Sequence, residues 1–324
     1  MPTMAIAAAL GLICLGLTIL ILGADWFVKG AASLAQRAGM PAIVVGLTVV
    51  SFGTSSPELI VNLFAAFSGS SDLAVGNIVG SNIANILLIL GLAAAITPLA
   101  VKHATTWREI PLALLATILL FMFASDSLLD GALFDVISRA EGFAFLGLFA
   151  IFLAYVYSLA RSEPSDDEEV PAVRSTSKTV GLLIIGLLAL IGGGKLLVDN
   201  AVILATLAGL SEALIGLTIV AVGTSLPELA TSVIAAWRGH TDIAIGNVVG
   251  SNIFNIFWIL GATALILPLP VGEALASDIV VAVGATLLLF AFMFIGKRHL
   301  LERWQGILFV ALYVVYIIYL VLRG

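Results

Sequence analysis

The sequence predicts an all-α polytopic membrane protein: ten transmembrane helices arranged as two inverted five-helix repeats, with broken helices 2, 3, 7 and 8 at the core. Three observations carry that expectation: too little charge to face water, apolar runs of bilayer length along the whole chain, and a second half that repeats the first. Of 324 residues, 61% are hydrophobic and only 10% are charged, with a mean hydropathy of +1.19. Soluble domains carry roughly 25% charged residues, so this chain cannot cover a water-facing surface. Segments at 4–24, 41–67, 73–100, 109–125, 139–161, 179–208, 211–237, 243–269, 275–296 and 304–323 read as spans, many of them close to the roughly 20 residues a spanning helix needs. The first reads as a helix rather than a cleaved leader. It has no cationic start and no small-residue cleavage site, and it continues into "ADWFVKGAASLAQ".

Lysine and arginine placement orients the chain. With the N-terminus outside, Arg37, Lys102, Arg108, Arg161, Arg174, Lys178, Arg238, Lys297, Arg298 and Arg303 fall in cytoplasmic loops. Only Arg139 and Arg323 fall outside, while Lys29 and Lys195 lie within long helices. The expected location is the cell membrane. The single cysteine, Cys14, excludes an internal disulfide, and the three histidines all lie in predicted cytoplasmic loops, where none can relay protons through the bilayer.

An offset of 170 residues superimposes the halves. "GLTVVSFGTSSPELIVNLFAAF" from Gly46 returns as "GLTIVAVGTSLPELATSVIAAW" from Gly216, and "DLAVGNIVGSNIANILLILG" from Asp72 as "DIAIGNVVGSNIFNIFWILG" from Asp242. Five spans per half is an odd number, so the second copy enters the membrane from the opposite side. Such repeats are a mark of secondary transporters, whose substrate site lies at the midplane where broken helices meet. The expected organisation is a first repeat over 1–161 (core motif 46–91), a linker over 162–178, and a second repeat over 179–324 (core motif 216–261). Within the linker, Asp166-Asp167-Glu168-Glu169 reads as a solvated acidic run.

Within each first motif a proline stands beside a glutamate: Pro57-Glu58 and Pro227-Glu228. Pro57 offers no amide hydrogen to the carbonyl of Gly53, a break worth roughly 3 kcal/mol, and lipid supplies no water to the freed oxygen. A charge at the bilayer centre costs at least about 2.5–3.5 kcal/mol more. One remedy serves both: a cation held by the freed carbonyls and the carboxylate, with the inward-pointing C-terminal end of the half-helix adding its negative dipole. Glu58 and Glu228 are therefore the predicted halves of a cation cage, since nothing basic in the deep spans could neutralise them.

The second motif adds oxygens. Ser81 and Asn85 share one helix face at i, i+4, as do Ser251 and Asn255, with Asn77 and Asn247 one turn earlier. Gly76, Gly80, Gly246 and Gly250 form small-xxx-small patterns that allow close helix approach. Asn77, Asn82, Asn247 and Asn252 read equally as ligands or as packing and capping groups. Carboxylates, hydroxyls, amides and carbonyls without cysteine or histidine select a hard cation; flexible oxygen ligands suit Ca²⁺, and the same groups could form Na⁺ sub-sites. The pairs Asp25/Lys29 and Lys195/Asp199, at i, i+4 on the first and sixth helices, read as surface ion pairs.

These residues closely resemble the sodium/calcium exchanger family of cation/calcium antiporters, in its compact prokaryotic form. Two "G-T-S-x-P-E" and two "G-S-N-I-x-N" motifs carry the match, which covers the whole chain. The resemblance implies alternating access, with Na⁺ entry driving Ca²⁺ extrusion while long, tilted first and sixth helices slide over an eight-helix core. It implies Glu58 and Glu228 as central Ca²⁺ ligands with the backbone carbonyls of Thr54 and Thr224. It likewise implies Ser55, Ser81, Ser225 and Ser251 as Na⁺ ligands, with backbone oxygens near Ser51 and Ala221 contributing, and it includes Asn85. This chain departs at Asn255, where the family usually carries aspartate, so its cage holds two carboxylates rather than three.

The expected activity is transport rather than catalysis, with Ca²⁺ and Na⁺ as substrates, no cofactor, no nucleic-acid partner, and a single chain sufficient for the site. The alternatives are a proton-coupled or K⁺-dependent Ca²⁺/cation antiporter and, in a different class, a passive channel. The threonine of "G-T-S" favours Na⁺ coupling, because proton-coupled relatives usually carry asparagine there.

Overall fold

The computed structural model describes residues 2–67, 69, 71–129, 131–162, 175–207 and 221–323. Its long helices are α1 (Pro2–Ala38), α2 (Ala42–Thr54 and Ser56–Phe67), α3 (Ser71–Ile96), α4 (His103–Phe123) and α5 (Arg139–Ser162), then α6 (Thr176–Leu207). In the second half come α7, described over Ala221–Thr224 and Leu226–Trp237, then α8 (Thr241–Ile266), α9 (Glu273–Phe292) and α10 (Arg303–Arg323). Eight of these are long and apolar enough to cross a membrane singly, and the bent pair of α2 makes a ninth among the described residues. The start of the predicted seventh span, and the acidic run Asp166–Glu169, lie outside the described residues.

Helix ends differ from the hydropathy boundaries for local reasons. The first helix does not stop at residue 24 but continues to Ala38, where Gly39 takes φ +61° and Pro41 follows. The third stops at Ile96 rather than 100, because Pro98 forces Thr97 into an extended conformation (φ −140°, ψ 122°). Pro268 does the same to Leu267 at the end of α8. The ninth ends at Phe292, ahead of Gly296 at φ +78°.

Of the four helices expected to be broken, α2 bends by 46° at Ser55 (φ −82°, ψ 8°), and Ser225 repeats that conformation in α7 (φ −88°, ψ 8°). The third and eighth helices take a milder form and stay continuous. They slacken to π-helix over Ala84–Leu90 and Phe254–Leu260, because their motifs contain no proline to sever the hydrogen-bond ladder.

Two short ribbons establish the inversion. Strand β1 (Leu99–Ala100) pairs with β4 (Leu300–Leu301), and β2 (Asp135–Ile137) with β3 (Leu269–Val271), both antiparallel. Strands β1 and β3 are equivalent at the 170-residue offset, yet β1 and β2 flank opposite ends of α4. The equivalent strands therefore cap opposite faces of the molecule. Arg303 donates to the carbonyl of Ile96 at 3.3 Å and Arg139 to that of Ile266 at 3.4 Å, so each continuous core helix ends on a guanidinium.

Burial separates core from periphery. In their most apolar windows α8 is 94% and α3 78% buried, against 22% for α1 and for α6. The last two pack antiparallel on each other through glycines: a Cβ at Gly193 would lie 2.7 Å from the Leu20 nitrogen, and one at Gly186 2.6 Å from that of Phe27. Lys195 pairs with Asp199 at 3.0 Å as an exposed surface pair, whereas Asp25, which pairs with Lys29 and also with Arg238 at the end of α7, is largely buried and links two helices.

This contact yields a prediction. Gly186→Ala gains about 1 kcal/mol in helix propensity but overpacks a backbone contact at about 1–3 kcal/mol, so the second effect wins. The variant should melt below the parent in detergent, whereas Gly192→Ala, with open space at its Cβ, should melt at or above it.

Candidate ion-binding site

At each kink a serine hydroxyl is presented at the break, and a glutamate three residues later enters the first turn of the following half-helix. That position is a helix N-terminus, where the dipole favours negative charge by about 0.3–1 kcal/mol. The cost of burying a charge in the bilayer is at least about 2.5–3.5 kcal/mol, so the dipole alone does not hold these carboxylates. Glu58 and Glu228 are each 1% exposed, and no salt bridge reaches either among the described residues.

The hydrogen bonds cross between the repeats. Ser55 Oγ donates to Glu228 Oε1 at 2.8 Å, and Ser225 Oγ donates to Glu58 Oε1 at 3.1 Å. Behind them, Ser251 Oγ lies 3.0 Å from Ser55 Oγ, and Ser81 Oγ lies 3.2 Å from Ser225 Oγ. Four helices thus converge on two carboxylates, each kink lending its hydroxyl to the other's acid. Each glutamate has one oxygen engaged, while Oε2 of both is buried without a hydrogen-bond partner, as are Oδ1 of Asn85 and Oδ1 of Asn255. Every one of these four atoms is an acceptor with a lone pair and no donor.

The neighbouring predicted residues arrange themselves around this centre. Thr54 Oγ1 lies 3.0 Å from Asn247 Oδ1 and Thr224 Oγ1 3.4 Å from Asn77 Oδ1, so both threonine hydroxyls are turned toward asparagines on α8 and α3. Ser51 sits one turn before the break, and its hydroxyl donates to the Gly46 carbonyl at 2.7 Å and faces those of Asn247 and Gly246 at 3.1 and 3.3 Å. A Cβ at Gly250 would fall 2.2 Å from that hydroxyl, and one at Gly46 would lie 3.0 Å from the Gly246 Cα. The glycines of α8 therefore set how closely α2 approaches. Ala221 begins the described part of α7.

Sequence reasoning passed over a supporting layer. Asn62 donates to Thr263 Oγ1 at 2.9 Å, and Ser232 Oγ accepts from Asn247 Nδ2 at 2.8 Å; both are fully buried. The signal was their spacing, four residues after Glu58 and Glu228, which places them on the glutamate face. Near the start of α4, the buried Glu109 accepts from the hydroxyl of the half-buried Tyr155, a pair the sequence did not single out.

Comparison with known proteins gives the family and the fold. The family described as sodium/calcium exchanger protein matches residues 8–158 and 178–322. The sodium/calcium exchanger MaX1 of Methanosarcina acetivorans is 34% identical over 95% of this chain and 97% of its own length. Inner membrane protein YrbG of Escherichia coli is 41% identical over 80% of each chain. A solved structure of the sodium-calcium exchanger NCX_Mj, soaked with Na⁺ and Sr²⁺, superimposes with a TM-score of 0.82 at 36% identity, covering 95% of this chain and 97% of that one. An inverted repeat with eight or nine membrane-length spans among its described residues, whose mirrored kinks bring two glutamates together and which MaX1 and NCX_Mj match over nearly their whole length, makes this chain a multi-pass membrane transporter of the sodium/calcium exchanger family.

Proposed function

We propose that the chain exchanges Ca²⁺ against Na⁺ across the cell membrane by alternating access at the two-glutamate centre. The observation that carries this reading is the crosswise serine–glutamate pairing, which leaves Oε2 of each glutamate buried without a hydrogen-bond partner, as are the Oδ1 atoms of Asn85 and Asn255. Two carboxylates balance one divalent ion, and oxygen-only ligands suit Ca²⁺. Glu58 and Glu228 are the central Ca²⁺ ligands, joined by the backbone carbonyls of Thr54 and Thr224, whose hydroxyls are occupied elsewhere. Ser55, Ser81, Ser225, Ser251 and the backbone oxygens of Ser51 and Ala221 form the Na⁺ sub-sites, and Asn85 and Asn255 contribute neutral oxygens.

In this reading residues 1–161 and 179–324 are the two repeats, joined by a linker over 162–178. The N-terminus lies outside and the linker in the cytoplasm, as the lysine and arginine distribution demands. The lightly buried α1/α6 pair is the part that slides, and the buried α3 and α8 are the fixed core. The ions are substrates, no cofactor is needed, and one chain completes the site.

Proteoliposomes with an imposed Na⁺ gradient should accumulate Ca²⁺. Glu58→Gln and Glu228→Gln should each lower the flux more than about a hundredfold, the scale of removing one buried charge partner. Full exchange in either variant would refute the proposal. Uptake driven by a pH gradient without Na⁺ would assign proton coupling, a K⁺ requirement would assign co-transport, and uncoupled currents would mean a channel.

The pseudo-symmetry adds a second test. Ser55→Ala and Ser225→Ala each remove a hydrogen bond to a charged group, about 1.5–3 kcal/mol. Their KM values for Ca²⁺ should rise to similar extents, at least roughly tenfold. A large difference between the two would contradict a shared centre.

A further inference from the structure

Four asparagines join α3 to α8 beside this site, and their hydrogen bonds have a definite direction. Asn82 Nδ2 donates to the Asn252 backbone carbonyl at 3.4 Å, and Asn252 Nδ2 donates to that of Asn82 at 3.3 Å. A backbone carbonyl only accepts, so these two contacts settle which end of each amide is nitrogen. The side-chain oxygens of Asn82 and Asn252 must then face the other pair. Asn255 Nδ2 donates to Asn82 Oδ1 and Asn85 Nδ2 to Asn252 Oδ1, both at 2.9 Å. With their amino groups held, Asn85 and Asn255 have their own Oδ1 atoms buried and unpartnered.

Helix-to-helix packing alone does not account for this arrangement. Two buried carbonyl oxygens left without donors cost about 1–3 kcal/mol each, a cost that two alanines would avoid. Asn85 and Asn255 each follow, by one turn, the serine that backs a glutamate-bound hydroxyl. We propose that Asn82 and Asn252 are positioning residues: they clamp the amides of Asn85 and Asn255 across the α3–α8 crossing so that both carbonyl oxygens are delivered to the ion. This rests on the exchange reading above. Asn82 acts on the ion through Asn255, and Asn252 acts through Asn85.

A double-mutant cycle tests the clamp. Asn82→Ala should raise the KM for Ca²⁺ by about 10–100-fold, the usual effect of losing a group that orients a metal ligand, with a smaller fall in kcat. In the Asn255→Ala background the same change should add nothing, whereas with Asn85→Ala the effects should multiply. Should Asn82→Ala fail to fold, Asn82→Ser takes its place with the same expected coupling. A KM for Asn82→Ala within about twofold of the parent, or independent effects of Asn82 and Asn255, would overturn the proposal. Absence of any Ca²⁺ exchange by the parent protein would instead sink the exchange reading. The pairing would then be read from melting of the same proteins in ion-free detergent, where coupling of Asn82 to Asn255 supports it and strict additivity refutes it.

Discussion

Two carboxylates buried at the centre of a membrane protein, with no basic residue beside them, are the constraint from which the rest of this structure follows. Among the favourable partners of Glu58 and Glu228 are a helix N-terminus and a serine hydroxyl from the opposite repeat. Against the penalty for a buried charge these terms are partial compensation, because the dipole effect fades within a turn and each hydroxyl supplies a single hydrogen. Under the exchange proposed above, a hard cation supplies the positive charge that the remaining lone pairs lack, and since that ion must also leave, the acids have to be tolerable with different occupants.

The inverted repeat makes that tolerance economical in structural terms. Each half contributes a proline kink, an acid and a serine, and the crosswise bonds mean that neither half completes its own site. The largely buried α8 and α3 carry the second layer, and close approach of α2 to α8 depends on glycines at Gly46, Gly246 and Gly250. Asn255 donates to Asn82 Oδ1, a role that an ionised carboxylate cannot perform. That gives a physical reason for an amide at this position.

Much of this was legible in the residues. Hydropathy marks spans because lipid tolerates only satisfied backbone, and proline marks kinks because its missing N–H acts within four residues. Both effects are local. The 170-residue self-similarity, with an odd number of spans per half, required the inversion that the β1–β4 and β2–β3 ribbons display. Even the helix ends that hydropathy overran, at Ile96 and Phe292, follow from Pro98 and the Gly296 turn, which a closer local reading contains.

What the sequence by itself determined was therefore the repeat, displayed by self-similarity at a 170-residue offset, and the membrane setting and the two acidic kinks, which are consequences of interactions a few residues long. Tertiary structure alone decided that Ser55 serves Glu228 rather than Glu58 and that Asn82 and Asn252 face each other's backbone. Those pairings join residues some 170 positions apart, and they depend on helix crossing and side-chain direction, which no short-range pattern encodes.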